Sequence, residues 1–259
     1  ETAELMRIIW PNGAIQAEFD LTANSALRAE QRLKGSCPWL FTYDGSEMRF
    51  VKDFIWRSGV GIRINAQQTA GIMQTLDKVR IPGAYMKPRN GYYDVRITAE
   101  LWETHFFDHV SLQVIDHPAS TEVFVDERFT APIDLSPRPT GPLQEVASVK
   151  TGNGRTVTET VRKRDGDYLG GFEMTAYQGL AKDHYIEIDL GEDVPTSGPL
   201  WLVAHGWLYP TDSSINIALS QGANPSPRGL RMEVPDGEGG WKQVKGNLGF
   251  PAGKLKTIL

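Results

Sequence analysis

The chain has a single cysteine, Cys37, in 259 residues. One thiol builds neither an internal disulfide framework nor a cysteine-rich zinc site, so neither holds this fold together. It leaves the compartment open, because large exported β proteins often do without disulfides. Long apolar runs are missing as well. The most apolar segment, LWLVAHGWL at 200–208, has the length of a strand, far short of the roughly 20 residues that cross a bilayer as a helix. A basic excess is also absent: 27 Lys and Arg face 32 Asp and Glu, for a net charge of −5 and a pI of about 5.6. Binding to a phosphate backbone needs a concentrated basic surface, so nucleic acid is excluded as a partner. The short basic run Arg162, Lys163 and Arg164 is followed at once by Asp165 and Asp167 and reads as a solvated strand end. No internal repeat with a period of 20–50 residues appears, which excludes solenoids and propellers within this stretch.

What the chain does have is turns and alternation. Its 26 glycines and 16 prolines separate short runs whose apolar residues recur every second position. Side chains alternate faces along a strand, so this pattern describes strands with one buried and one wet face. Residues 91–129 show it most fully. Tyr93, Val95 and Ile97 alternate with Asp94, Arg96 and Thr98; Val110, Leu112 and Val114 alternate with Ser111 and Gln113; Val123, Phe124 and Val125 follow. We expect these three runs to form the centre of an antiparallel sheet.

Hairpin signals flank that centre. Strands at 6–10 and 15–21 are joined by Pro11, Asn12 and Gly13, and strands at 39–43 and 48–51 by Asp44 and Gly45. Residues 53–82 are the least strand-like: a loop with one short helix at 67–76, of the kind that often forms a contact surface. The second half reads as strands at 155–162, 185–191, 200–209, 215–219, 230–234 and 241–244. Expected is an all-β chain of two antiparallel β-sandwich subdomains, 34–130 and 143–259, with long loops, little helix and a proline-rich linker at 131–142.

Three stretches together resemble a known family. WPNGAIQ near the start is similar to the end of the ASPIC/UnbV module, which follows FG-GAP repeats in cartilage-acidic-protein-like secreted proteins, and residues 1–33 are assigned to it. GSCPWLFTYDGSEMRFVKDFIW, KVRIPGAYMKPRNGYYDVRITAELWE and VIDHPASTEVFVDERF resemble the C-terminal extension of such proteins in Acidobacteria and related bacteria. GWLYPTDSSINIALSQ through VPDGEGGWKQVKGNLGFPAGKLKTI continues the likeness. The resemblance implies an exported, extracellular or cell-surface bacterial protein with a propeller outside this stretch. FG-GAP loops hold calcium through a D-x-D-G pattern; none occurs here, so no calcium ligand or other cofactor is carried over. No signal peptide is visible, and both ends read as cut from a longer polypeptide.

Candidate chemistry is sparse. His105 and His109 are four apart, as two zinc ligands on a helix would be, but position 106 is Phe where H-E-x-x-H needs Glu. On a strand the two would lie ~13 Å apart, too far for one metal. Asp116 beside His117 suits a base, yet no nucleophile motif accompanies it, and Pro118 marks a turn. Cys37 lacks a Cys-His-Asn context. Glu100, Glu103, Asp108, Asp126, Glu127 and Asp212 include no pair whose spacing in the fold the sequence reveals, as a glycosidase would need. We expect no enzyme. The aromatic residues carry the better reading. Trp39, Trp56, Trp102, Trp201, Trp207, Trp241, Tyr43, Tyr92, Tyr93, Tyr177 and Tyr209 are expected mostly in cores, with Trp56 and Tyr85 exposed as contact residues. Expected is a module for adhesion or protein assembly, including filament-like self-association with neighbouring copies. The alternative is a carbohydrate-binding module or glycoside hydrolase accessory domain. The apolar tip at Ile258 and Leu259, beside Lys254 and Lys256, predicts a terminal strand paired with something outside a lone domain.

Overall fold

The structure, a computed structural model, describes residues 2–10, 15–30, 38–54, 76–98, 107–128, 134–176, 181–195, 197–198, 200–206, 221–222, 230–248 and 255–259. The chain is all-β, built of several small antiparallel sheets with one five-residue helix and a single 3-10 turn among the described residues. Glu1–Asp116 group into one compact unit and His117–Leu259 into a second.

The first unit begins with a hairpin of β1 (Thr2–Ile9) and β2 (Ile15–Thr22), paired in one register from Thr2↔Thr22 to Ile9↔Ile15. Next come β3 (Trp39–Tyr43) and β4 (Met48–Asp53). The turn between them is fixed by Asp44, whose carboxylate accepts the backbone N–H groups of Ser46 (2.8 Å) and Glu47 (3.0 Å). Two short strands, β5 (Pro88–Arg89) and β6 (Tyr92–Tyr93), meet through Asn90 and Gly91, both at positive φ as a two-residue primed turn demands. β7 (Val95–Thr98) then pairs with β3, giving a three-stranded sheet in the order β4-β3-β7.

The centre of this unit is β3, not residues 91–129. Trp39 and Phe41 pack on one face with Met48, Phe50 and Phe19; Leu40 packs on the other with Val51, Phe54, Val79, Ile81 and Ile97. A strand buried on both faces reads as a continuous apolar run, and WLFTY is one. Burying Trp39 and Phe41 stabilises by about 1.5–3 kcal/mol each. The buried Trp39 Nε1–H has no hydrogen-bond partner among the described residues, which offsets part of that gain.

The expected central strands fare otherwise. β7 is the outermost described strand of its sheet, Tyr92 is 79% exposed, and residues 110–114 form no strand at all. Alternation is a local property, whereas a ladder needs a partner edge, and no described strand lies beside 110–114.

In the second unit, β8 (Glu122–Phe124) pairs with β9 (Arg138–Thr140), a strand lying in the proline-rich stretch expected as a linker. Pro139 is tolerated because β9 has β8 as its one described neighbour and lies at the edge of that pair. β10 (Ser148–Thr151) is followed by the helix α1 (Thr158–Arg162) and by β11 (Ile186–Asp189), which pairs with β10. The helix replaces an expected strand. Val157 and Val161 are four apart, a spacing that fits both periods, and here it is helical. The other edge of β10 decides the matter. Val149 N–H donates to Thr158 Oγ1 (2.9 Å), and Val157 N–H donates to the Val149 carbonyl (2.9 Å), so the start of the helix closes that edge.

Of the strand expected at 200–209, only β12 (Ala204–Gly206) forms among the described residues. Its partner β15 (Lys256–Ile258) is three residues long, so no described strand pairs with 200–203, and Trp201 is 63% exposed. Between β12 and β15 in sequence lies the hairpin of β13 (Leu230–Pro235) and β14 (Trp241–Leu248). The C-terminal strand, expected to pair with something outside a lone domain, pairs within the chain: Lys256 is 0% exposed and Ile258 is buried. Glu127 covers the far edge of β15, its N–H donating to the Thr257 carbonyl (2.8 Å) and its carboxylate accepting the Thr257 N–H (2.7 Å). The expected strand at 215–219 and helix at 67–76 lie outside the described residues, apart from Leu76, which is exposed and in no helix.

Candidate functional site

A groove of about 600 Å³ lies in the first unit between the β1–β2 hairpin and β7. Cross-strand pairing puts Leu5 opposite Phe19, Arg7 opposite Ala17, and Ile9 opposite Ile15 on the hairpin. Leu5, Ile15, Ala17 and Phe19 line the groove, with Arg7 and Arg96 as its cations. Arg96 stands opposite Phe41 in the sheet and lies with its guanidinium 4.8 Å from the centre of the Phe19 ring.

Four charges hold the end of this groove. Arg96 grips Asp94 through Nε (3.2 Å) and Nη2 (3.0 Å), Arg89 donates to Asp20 (2.8 Å), and the cross pairs Arg96–Asp20 and Arg89–Asp94 are each 3.7 Å. The hydrogen bond to Asp20 raises the Arg89 pKa, aided by the Asp20 charge. Asp20 reaches these partners from a left-handed backbone, φ 53°, where the ladder pairs Leu5↔Phe19 and Ala3↔Leu21 but skips the position between them. Aspartate tolerates that conformation better than most residues, and its cost is on the order of 1 kcal/mol. The four charges cancel, which leaves Arg7 as the groove's excess positive charge.

Sequence reading missed this network. In the sequence Asp94 and Arg96 read as an ordinary wet face of a strand. Their opposite charges at i and i+2 were the available signal, but Asp20 and Arg89 are 69 residues apart.

Of the expected contact aromatics, Trp56 lies outside the described residues, while Tyr85 is half-buried with the Arg49 guanidinium 4.0 Å from its ring centre. Trp102, Trp207, Tyr177 and Tyr209 also lie outside the described residues. Among the named residues that are described, Trp39 is buried, Tyr43 is half-buried, and Tyr92, Tyr93, Trp201 and Trp241 are exposed. Tyr92, Tyr93 and Trp241 sit on hairpins that form two-stranded sheets among the described residues. A further apolar stretch stands bare in the first unit. Phe107 stacks on Phe54 (6.2 Å between centroids), and beyond it Val110, Leu112, Val114 and Ile115 are exposed, Val114 at 77%.

The remaining candidates separate. Cys37, His105, Glu100, Glu103 and Asp212 lie outside the described residues; Asp108 and His109 are exposed. His117 Nδ1 is 3.1 Å from the Pro118 carbonyl and 3.3 Å from Thr121 Oγ1, within a turn closed by Thr121 N–H on Pro118 (2.9 Å). Asp126 holds Arg128. In the second unit Thr257 Oγ1 lies 2.9 Å from His205 Nδ1 beside the buried Glu127, which superficially suggests a nucleophile and base. Glu127 instead spends its carboxylate on the Thr257 backbone, and the Thr257 hydroxyl belongs to a buried strand, so the group pins β15 in place. No cluster of three or more potential metal ligands occurs among the described residues, and none of their helices is long and apolar enough to cross a membrane.

Comparison with protein-family models, with curated proteins and with solved structures finds no match for this chain.

Proposed function

We propose that this chain is a non-catalytic module of an exported, cell-surface or extracellular protein, and that it serves protein assembly or adhesion through apolar surface. The observation that carries this reading is the bare stretch at 107–115, whose apolar side chains stand in water beside a unit that has a well-buried core elsewhere. Exposed apolar surface of this kind is characteristic of interaction sites. The groove under the β1–β2 hairpin offers a second apolar surface on the same unit. The resemblance of WPNGAIQ and the following stretches to ASPIC/UnbV proteins and their extensions supports an exported setting.

A second reading has its own support. The exposed rings of Tyr92, Tyr93 and Trp241 on short hairpins suit stacking on sugars, as in a carbohydrate-binding module. Light scattering of the chain over a concentration series, a glycan array and a panel of glycoside substrates separate these readings. Assembly predicts a mass that rises with concentration and no turnover. Saturable glycan binding lost on Trp241→Ala favours the second reading. Turnover abolished by one carboxylate substitution overturns both.

A further inference from the structure

We infer that residues 108–116 of one copy add as a strand alongside β7 of a second copy, with their apolar face in the groove beneath the β1–β2 hairpin. This inference rests on the assembly reading and names its partner. The segment is DHVSLQVID, without a glycine or proline to interrupt a strand. Its even-numbered residues share one face: Asp108, Val110, Leu112, Val114 and Asp116. That face is acid, three apolar side chains, acid. The opposite face, apart from Ile115, is His109, Ser111 and Gln113, suited to water.

The groove has the matching order of chemistry. Leu5, Ile15, Ala17 and Phe19 supply the apolar wall, and Arg7 supplies the excess positive charge left by the balanced Asp20, Asp94, Arg89 and Arg96 network. β7 is the outermost described strand of its sheet, and it presents Arg96 on the groove side. The three apolar residues of the segment span ~13 Å when extended, close to the ~10 Å of the four-residue β7. Strand addition would supply backbone hydrogen bonds to a segment whose residues 108–116 belong to no described ladder. Each copy carries both the segment and the groove, so reciprocal exchange closes a dimer and one-way exchange builds a filament.

The test uses the full chain and a labelled peptide of residues 107–116, FDHVSLQVID. Light scattering follows self-association, and fluorescence anisotropy follows peptide binding. Val114→Asp changes a residue that is 77% exposed, so the unit folds while self-association weakens roughly tenfold or more. Arg7→Glu weakens peptide binding, and a peptide carrying Asp116→Lys regains affinity for that variant. Free peptide competes with self-association of the wild-type chain. Self-association that ignores both Val114→Asp and excess peptide overturns the inference and leaves the assembly reading standing. A chain that stays monomeric at its highest soluble concentration and binds no peptide overturns the inference. It sinks the assembly reading too when no other protein partner is captured by the same module. A monomer whose amides at 110–114 are protected from hydrogen exchange also overturns it, because the groove's occupant is then the chain's own segment.

Discussion

Two stretches of the first unit carry strand-forming sequence with opposite outcomes. Trp39–Tyr43 is a five-residue strand hydrogen-bonded on both edges and buried on both faces. Residues 110–114 have cleaner alternation, yet they pair with no described strand and stand in solvent. β propensity describes how well a side chain fits a pleated, half-buried surface, and that surface has to be supplied by neighbours. β3 has β4 four residues away through a turn that Asp44 closes, and β7 on the other side. The 107–116 segment has one anchor, Phe107 on Phe54, and beyond it nothing the described residues provide. Local pattern thus selects candidates for strands, and the availability of an edge decides among them.

The widest way to break this comparison is to truncate one residue from each stretch. Trp39→Ala removes a fully buried ring from the centre of the cluster and is expected to destabilise the first unit by about 3–5 kcal/mol. Val114→Ala, on the bare stretch, is expected to change stability by less than about 0.5 kcal/mol in the monomer. Urea unfolding monitored by tryptophan fluorescence and by circular dichroism measures both. A cost above ~1.5 kcal/mol for Val114→Ala would show that the segment is packed within its own chain.

A smaller effect sharpens the point about edges. β10 lies between β11 and the start of α1, where Thr158 Oγ1 accepts the Val149 N–H. Thr158→Val keeps the shape and leaves that buried donor without its acceptor, with an expected cost of about 1–3 kcal/mol. Thr158→Ser retains the oxygen and loses less. Hydrogen exchange at the Val149 amide should accelerate in the valine variant more than in the serine variant. Equal exchange in both would mean that the helix covers this edge by packing alone.

How much of this was legible follows the same division between local and distant. The hairpins β1–β2, β3–β4 and β13–β14 could be read from turn residues flanked by alternation, because each is complete within about twenty residues. The burial of Lys256 could not, because the strand it belongs to is closed by Glu127, 130 residues before Thr257. The groove was equally hidden: its two walls come from residues 5–19 and 96–98, and only the fold brings them together. Val157 and Val161 misled for another reason, since a four-residue spacing satisfies strand and helix alike.

The smallest expected effect concerns the turn that gives β3 its first neighbour. The Asp44 carboxyl is lowered from 3.8 to about 2, chiefly by the backbone N–H of Glu47, then by the N–H and hydroxyl of Ser46, with the Arg49 charge a lesser contribution. A carboxyl whose pKa falls on folding favours the folded state when it is ionised. Its contribution is therefore fully present above about pH 4 and is lost as the pH falls toward 2. Asp44 sits in a surface turn, so the effect is modest, and it is best read at the group itself. An NMR titration of the Asp44 carboxyl carbon should give a midpoint near 2 in the folded chain. Asp44→Asn should flatten the stability difference between pH 4 and pH 2 relative to the wild type. A midpoint for Asp44 at the ordinary carboxyl value would mean that its carboxylate does not hold this turn in solution, and β3 would then owe its place to its two ladders and its burial.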